Sequence, residues 1–157
     1  MFDIKRWFAV PSLRKRPRDE ADLAASLIEA GEPQEALGAL EGALATETTP
    51  ERRAFAHNKR GVALVELGRV DEALAAFCEA LCAVESYAPA LVNIGNVLLE
   101  EGDVADAIEH YRAAIRADET YAGAYMNLGV ALKRAGRASE ATRCLKKALR
   151  LEMRRRS

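Results

Sequence analysis

The chain has 157 residues and a formal net charge of −1, a length that suits one domain with a sizeable core. Alanine fills 31 positions against 9 Val, 5 Ile and 5 Thr, a balance that favours helices packed closely on small side chains. No run reaches the roughly 18–20 apolar residues of a membrane span. Asp3, Lys5 and Arg6 interrupt the apolar core that a secretory signal would need, and 50% hydrophobic content is too much for a disordered chain.

Residues 1–16 read as an N-terminal arm, in which Lys5, Arg6, Arg14, Lys15 and Arg16 accompany the only Trp, Trp7. Pro11 and Pro17 interrupt any helix there. Two functional readings stand for the arm: an amphipathic anchor on an anionic membrane surface, or a peptide that binds a partner. Against them stands a structural reading, in which its apolar residues cover the exposed first helix of the domain that follows.

From residue 17 the chain repeats itself. The segment Gly-Arg-Val-Asp-Glu-Ala at 68–73 returns 34 residues later at 102–107 as Gly-Asp-Val-Ala-Asp-Ala, and again at 136–141 as Gly-Arg-Ala-Ser-Glu-Ala. A degenerate copy of the segment, Gly-Glu-Pro-Gln-Glu-Ala at 31–36, lies 37 residues before the one at 68–73. Gly61, Gly95 and Gly129 keep the same period, as do Ala80, Ala114 and Ala148. The copies span about 17–50, 54–87, 88–121 and 122–153, and a basic tail closes the chain at 154–157. Each copy predicts two helices. In 88–121, Leu91, Ile94 and Leu98 form one amphipathic stripe, and Val104, Ala107, Ile108, Tyr111 and Ile115 form a second. Gly102 between them suits a left-handed helix stop, and Gly95 and Ala107 suit a close approach of two helix backbones. Ser86, Thr120 and the Thr49-Pro50 pair are the expected N-caps.

These columns resemble the tetratricopeptide repeat family, a 34-residue helix–turn–helix motif. Leu91, Ile94-Gly95, Leu98, Ala107, Tyr111 and Ala114 carry the resemblance in one copy. Tyr125, Leu128-Gly129, Leu132, Ala141, Leu145 and Ala148 carry it in the next. His57 and Arg60 depart from the apolar columns, so the first helix of the 54–87 copy is expected to pack loosely. The resemblance implies an all-α, right-handed superhelical solenoid over 17–153, with three clear repeats and one degenerate N-terminal repeat. It also implies a concave groove, lined by the first helix of each repeat, that takes a peptide or protein segment.

By repeat position the implied groove residues are Asn58, Lys59, Val92, Asn93, Asn96, Leu99, Met126, Asn127, Lys133 and Arg134. Asn93 and Asn127 share a column. An amide there can pair with both N–H and C=O of an extended peptide, or serve its own helix locally. A carboxylate clamp of the chaperone-binding kind is disfavoured. Asn58 and Val62 stand where its first Lys and Asn belong, and Gly123 and Asn127 replace the later basic pair.

Nothing in the chain supports an enzyme, a cofactor or a metal site. Cys78 and Cys82 share a helix face without a second ligand pair, which favours small packed or half-packed side chains over zinc. Three cysteines are an odd number and too few for a disulfide framework, and point to the cytoplasm. The expected activity is a non-enzymatic interaction module or scaffold with an unidentified protein or peptide partner. The alternative readings are an adaptor held to an anionic membrane surface or nucleic acid by its basic ends, and a homo-oligomer assembled through an uncapped solenoid end. Nucleic acid is the less favoured of these partners, because a net charge of −1 gives no global attraction to it, although the sum hides a local asymmetry. Residues 1–18 carry +5, 19–142 carry −12 and 143–157 carry +6.

Overall fold

The computed structural model describes residues 19–156, in which eight helices and no strand are found. They fall into two compact units, one ending at Val84 and the other beginning at Glu85. The first unit holds α1 (Glu20–Glu29), α2 (Pro33–Thr46), α3 (Pro50–Glu66) and α4 (Val70–Ala83). The second holds α5 (Ala88–Glu101), α6 (Val104–Ala117), α7 (Ala122–Arg134) and α8 (Ala138–Arg156). Each unit is a pair of helical hairpins, and each hairpin is one copy of the repeat. In the first unit α2 and α1 pack on α3; in the second α6 and α5 pack on α7. Arg154, Arg155 and Arg156, read from the sequence as a tail, are the last residues of α8. No helix among the described residues is long and apolar enough to cross a membrane.

All four hairpin turns are built alike. Gly31, Gly68, Gly102 and Gly136 have φ of 80°, 75°, 96° and 75°. The residue after each glycine donates its N–H to a carbonyl five residues back. Glu32 bonds Leu27 at 2.9 Å, Arg69 bonds Leu64 at 2.9 Å, Asp103 bonds Leu98 at 2.9 Å, and Arg137 bonds Leu132 at 2.8 Å. These bonds satisfy carbonyls that the ended helix leaves without partners. The degenerate copy at Gly31 thus shares the same turn as the clear ones. A Cβ at Gly102 meets no neighbour, so the cost of Gly102→Ala is conformational. We expect a loss of about 1 kcal/mol, seen as a lower thermal midpoint by circular dichroism. An unchanged midpoint would contradict the strained turn.

The helix starts depart from expectation. Tyr87 and Tyr121, not Ser86 and Thr120, occupy the N-cap positions of α5 and α7, and neither caps through its side chain. Thr120 is taken up by the preceding turn: its N–H and Oγ both donate to Asp118 Oδ1, at 2.8 and 2.6 Å. Thr49 does sit at the N-cap of α3, ahead of Pro50, but its hydroxyl turns to Glu47 Oε1 at 3.0 Å. A carboxylate two residues upstream outcompetes the helix amides for these hydroxyls. Only α1 among the capped helices makes the side-chain bond, from Asp22 N–H to Asp19 Oδ1 at 2.9 Å.

Aromatic and leucine side chains from the second helix of each hairpin fill the cores. Leu40, Phe77 and Tyr111 are completely buried. Phe77 lies over Gly61, Tyr111 over Gly95 and Leu145 over Gly129. The first helix of the 54–87 hairpin is not loosely held, as its polar residues had suggested. His57 places Nδ1 2.9 Å from Glu79 Oε2 on α4, and Arg60 Nη1 reaches the same oxygen at 3.5 Å. The His57 contact is electrostatic, since its ring N–H makes no aligned hydrogen bond.

This polar bridge makes one pH prediction. Burial pushes the His57 pKa below its ordinary 6.5, opposed by Glu79 and assisted by Arg53 and Arg60. The folded value lies below the unfolded one, so the neutral ring stabilises the fold above the ordinary imidazole value. That stability is lost as pH falls below it, because the unfolded chain binds the proton more readily. His57→Gln should flatten the fall in thermal midpoint between about pH 7 and about pH 5. An unchanged slope would assign the fall to other groups.

Candidate functional site

The first helices of the second unit, α5 and α7, carry most of the implied groove residues. Their positions follow from helix periodicity: Val92, Asn96 and Leu99 recur at steps of four and three along α5, and Met126 and Val130 at four along α7. Burial divides them. Val92 and Leu99 belong to the core of the unit, alongside Ile108, Tyr111 and Leu132. Asn93 and Asn127 are also buried, at 8% and 7% exposure. Met126 is 41% exposed, and Lys133 and Arg134 lie at the surface.

A polar bridge ties the two helices. Asn127 Nδ2 donates to Asn96 Oδ1 at 2.8 Å, and the Tyr111 hydroxyl donates to the same oxygen at 2.8 Å. Both lone pairs of that carbonyl are therefore occupied. Burial holds the Tyr111 phenol well above its ordinary pKa, with Arg134 opposing and Glu100 adding, so the group remains a donor. A second tie closes the C-terminal end of the helices. Arg134 Nη1 donates to the Leu99 carbonyl at 2.9 Å, and its Nη2 lies 3.8 Å from Glu100 Oε1.

In the first unit Asn58 is 5% exposed and Lys59 is half-buried on α3. Burial lowers the Lys59 pKa, with Glu29 opposing, and its ammonium lies 5.5 Å from the Phe55 ring centre. A separate cavity of about 240 Å³ is lined by Asp19, Glu20, Ala21, Ala43, Thr46, Glu47, Arg52 and Ala56. It contains none of the implied groove residues. Arg52 is held there by Asp19, by Asp22 at 3.3 Å and by Glu47 at 3.7 Å.

Lys5, Arg6, Trp7, Arg14, Lys15 and Arg16 lie outside the described residues. Cys78 and Cys82 are exposed on α4 rather than packed, and Cys144 is intermediate. No cluster of His, Cys, Asp and Glu able to hold a metal occurs among the described residues. The sequence reading missed the Tyr111 hydroxyl as a partner of Asn96. A signal for it exists between the repeats. Val62, Asn96 and Val130 share one column, and Phe77, Tyr111 and Leu145 share another. The single polar residue of each column falls in the same repeat.

Family models for the tetratricopeptide repeat match residues 21–89 and 122–156, and a TPR repeat model matches 95–136. The chain belongs to the tetratricopeptide repeat family. No curated protein matches it. Among solved structures this tetratricopeptide repeat protein is similar to MamA, at 27% identity and a TM-score of 0.69, over 87% of this chain and 78% of that one. It is similar to pilF of Pseudomonas aeruginosa at 24% identity and a TM-score of 0.74, over 84% of this chain and 59% of that one. The second TPR of Spaghetti (RPAP3), bound to the HSP90 peptide SRMEEVD, is similar at 22% identity and a TM-score of 0.60, over 64% of this chain and 94% of that one. The last two likenesses establish the helical-repeat fold alone.

Proposed function

We propose that this tetratricopeptide repeat protein is a non-enzymatic interaction module whose second unit holds an extended peptide or protein segment against α5 and α7. The observation that carries the reading is the Asn96 bridge beside exposed Met126. Asn127 and Tyr111 saturate the Asn96 carbonyl and fix its amide plane. The Nδ2 group of Asn96 is then the donor for a peptide carbonyl, held without loss of rotamer freedom on binding. Asn127 and Asn93 act from beneath as positioning residues, because both are buried. Met126 and half-buried Val130 supply adaptable apolar contact. Lys133 and Arg134 form a charged rim.

The test starts from a random peptide display library panned on the purified chain. A selected peptide should lose about tenfold in affinity with Asn96→Ala, the scale of one hydrogen bond. Met126→Glu should lose at least as much, and exposed Cys82→Ser should lose nothing. Undiminished affinity in Asn96→Ala and Met126→Glu, with helicity retained, would remove the assignment.

A further inference from the structure

Two surfaces outside the proposed peptide site carry opposite charge and exposed apolar side chains. The first is on the α1–α2 hairpin. Residues 19–49 hold eight carboxylates and no Lys or Arg. Three of those carboxylates are drawn to Arg52 of α3, which leaves the remainder of the hairpin strongly acidic. Leu23 is 41% exposed within it, and Leu27, one turn on, is half-buried. The hairpin packs on α3 along one side.

The second surface is on α8. This helix runs 19 residues against 14 for α6, and packs on α7. Leu149 and Met153 are 61% and 63% exposed, and they lie four residues apart on one face. Lys146 and Arg150 extend that face, and Arg154–Arg156 end it. Residues 143–157 carry seven basic groups against one acidic one. A face that is at once apolar and strongly basic is costly to leave in water, and it finds its complement in an apolar, acidic one.

We infer that the α8 face docks on the α1–α2 hairpin of a second copy of this chain. Leu149 and Met153 meet Leu23 and Leu27, and the basic groups around them meet the hairpin's carboxylates. Each contact therefore joins unlike surfaces, the α8 face of one copy and the α1–α2 hairpin of another. The charge pattern that sums to −1 then has a use: it makes one copy's acidic hairpin and the next copy's basic helix attractive over a Debye length.

The experiment is sedimentation velocity of the full chain over a concentration series. The expected result is growth in size with concentration. Moving from about 0.01 M to about 1 M salt, which shortens screening from about 30 to about 3 Å, should weaken it. Leu149→Glu and Leu23→Arg each change an exposed side chain, so the fold should survive. Each variant alone should raise the concentration of half-association at least about tenfold, and mixing the two should restore association, since the unchanged α8 face of Leu23→Arg then meets the unchanged hairpin of Leu149→Glu. A wild type that stays monomeric at all concentrations would overturn the proposal, and would fit a hairpin covered by residues 1–16 of its own chain. Undiminished association of Leu23→Arg would overturn it in favour of an α8–α8 contact. A monomer that sediments with phosphatidylserine vesicles through Leu149 would overturn it in favour of a lipid surface.

Discussion

Tyr111→Ala lowers the stability of the second unit by about 3–5 kcal/mol, the range for removing a fully buried aromatic side chain. The ring has no exposed surface and sits in the core with Ile108, Leu128 and Leu132. Ala107, Ala114 and Ala124 in the same core are too small to reach into the space. The substitution also removes a donor from Asn96, whose carbonyl then accepts from Asn127 alone. Tyr111→Phe separates the two contributions, costing about 1 kcal/mol for the hydrogen bond with the packing kept. Native-state hydrogen exchange is the suitable measurement, since repeat stacks lose stability locally. Protection should fall most at the amides of α5, α6 and α7. A drop below about 1 kcal/mol there for Tyr111→Ala would deny the ring its central place.

Gly95→Val is the second large effect. A Cβ at Gly95 would lie 2.7 Å from Cε1 of the Tyr111 ring, closer than real side chains approach. The ring cannot yield, because it is enclosed on all sides and anchored at its hydroxyl. Either α5 and α6 move apart or the ring leaves its rotamer. Overpacking of this kind costs about 1–3 kcal/mol. Coupling provides the sharper check: Gly95→Ala combined with Tyr111→Ala should cost less than the sum of the two single changes, because the small residue frees the space that the Cβ needs. Strict additivity in chemical denaturation would show that the two residues do not share this contact.

Much of the fold was legible because it depends on spacing alone. A period of 34 places the turn glycines Gly68, Gly102 and Gly136, with Gly31 a further 37 residues back, and the positive φ at Gly31 and Gly102 is the conformation that only glycine adopts cheaply. The Gly61, Gly95 and Gly129 column likewise announces a helix approach too close for a Cβ. The helix starts were less legible. Whether Thr120 caps a helix or turns back to Asp118 depends on local competition between acceptors, which residue type does not decide. Cys78 and Cys82 illustrate the same point, being suited to packing yet exposed on α4.

The candidate site divides in the same way. The columns expected to face a groove include Val92 and Leu99, which are core residues, and Met126, which is not. A helix in a repeat stack has one neighbour in its own hairpin and another in the next, so its buried arc is wider than a single amphipathic stripe. The edges of that arc are set by how far each neighbour reaches, and periodicity is blind to it. Asn96 was expected among the residues that face a groove. Its carbonyl instead joins α5 to α7 through Asn127 and to α6 through Tyr111, which leaves one end for recognition.

By itself the sequence determined the repeat, the hairpins, their turn glycines and the family, because each rests on residue type at a fixed interval. It also determined the charge asymmetry, which is a count. The tertiary structure alone decided which polar side chains pair across 15 and 31 residues, as Tyr111 and Asn127 do with Asn96. It decided as well that Leu149 and Met153 stand exposed on the helix that carries the positive charge. Those outcomes depend on the few tenths of a nanometre between packed helices, a distance that no spacing along the chain encodes.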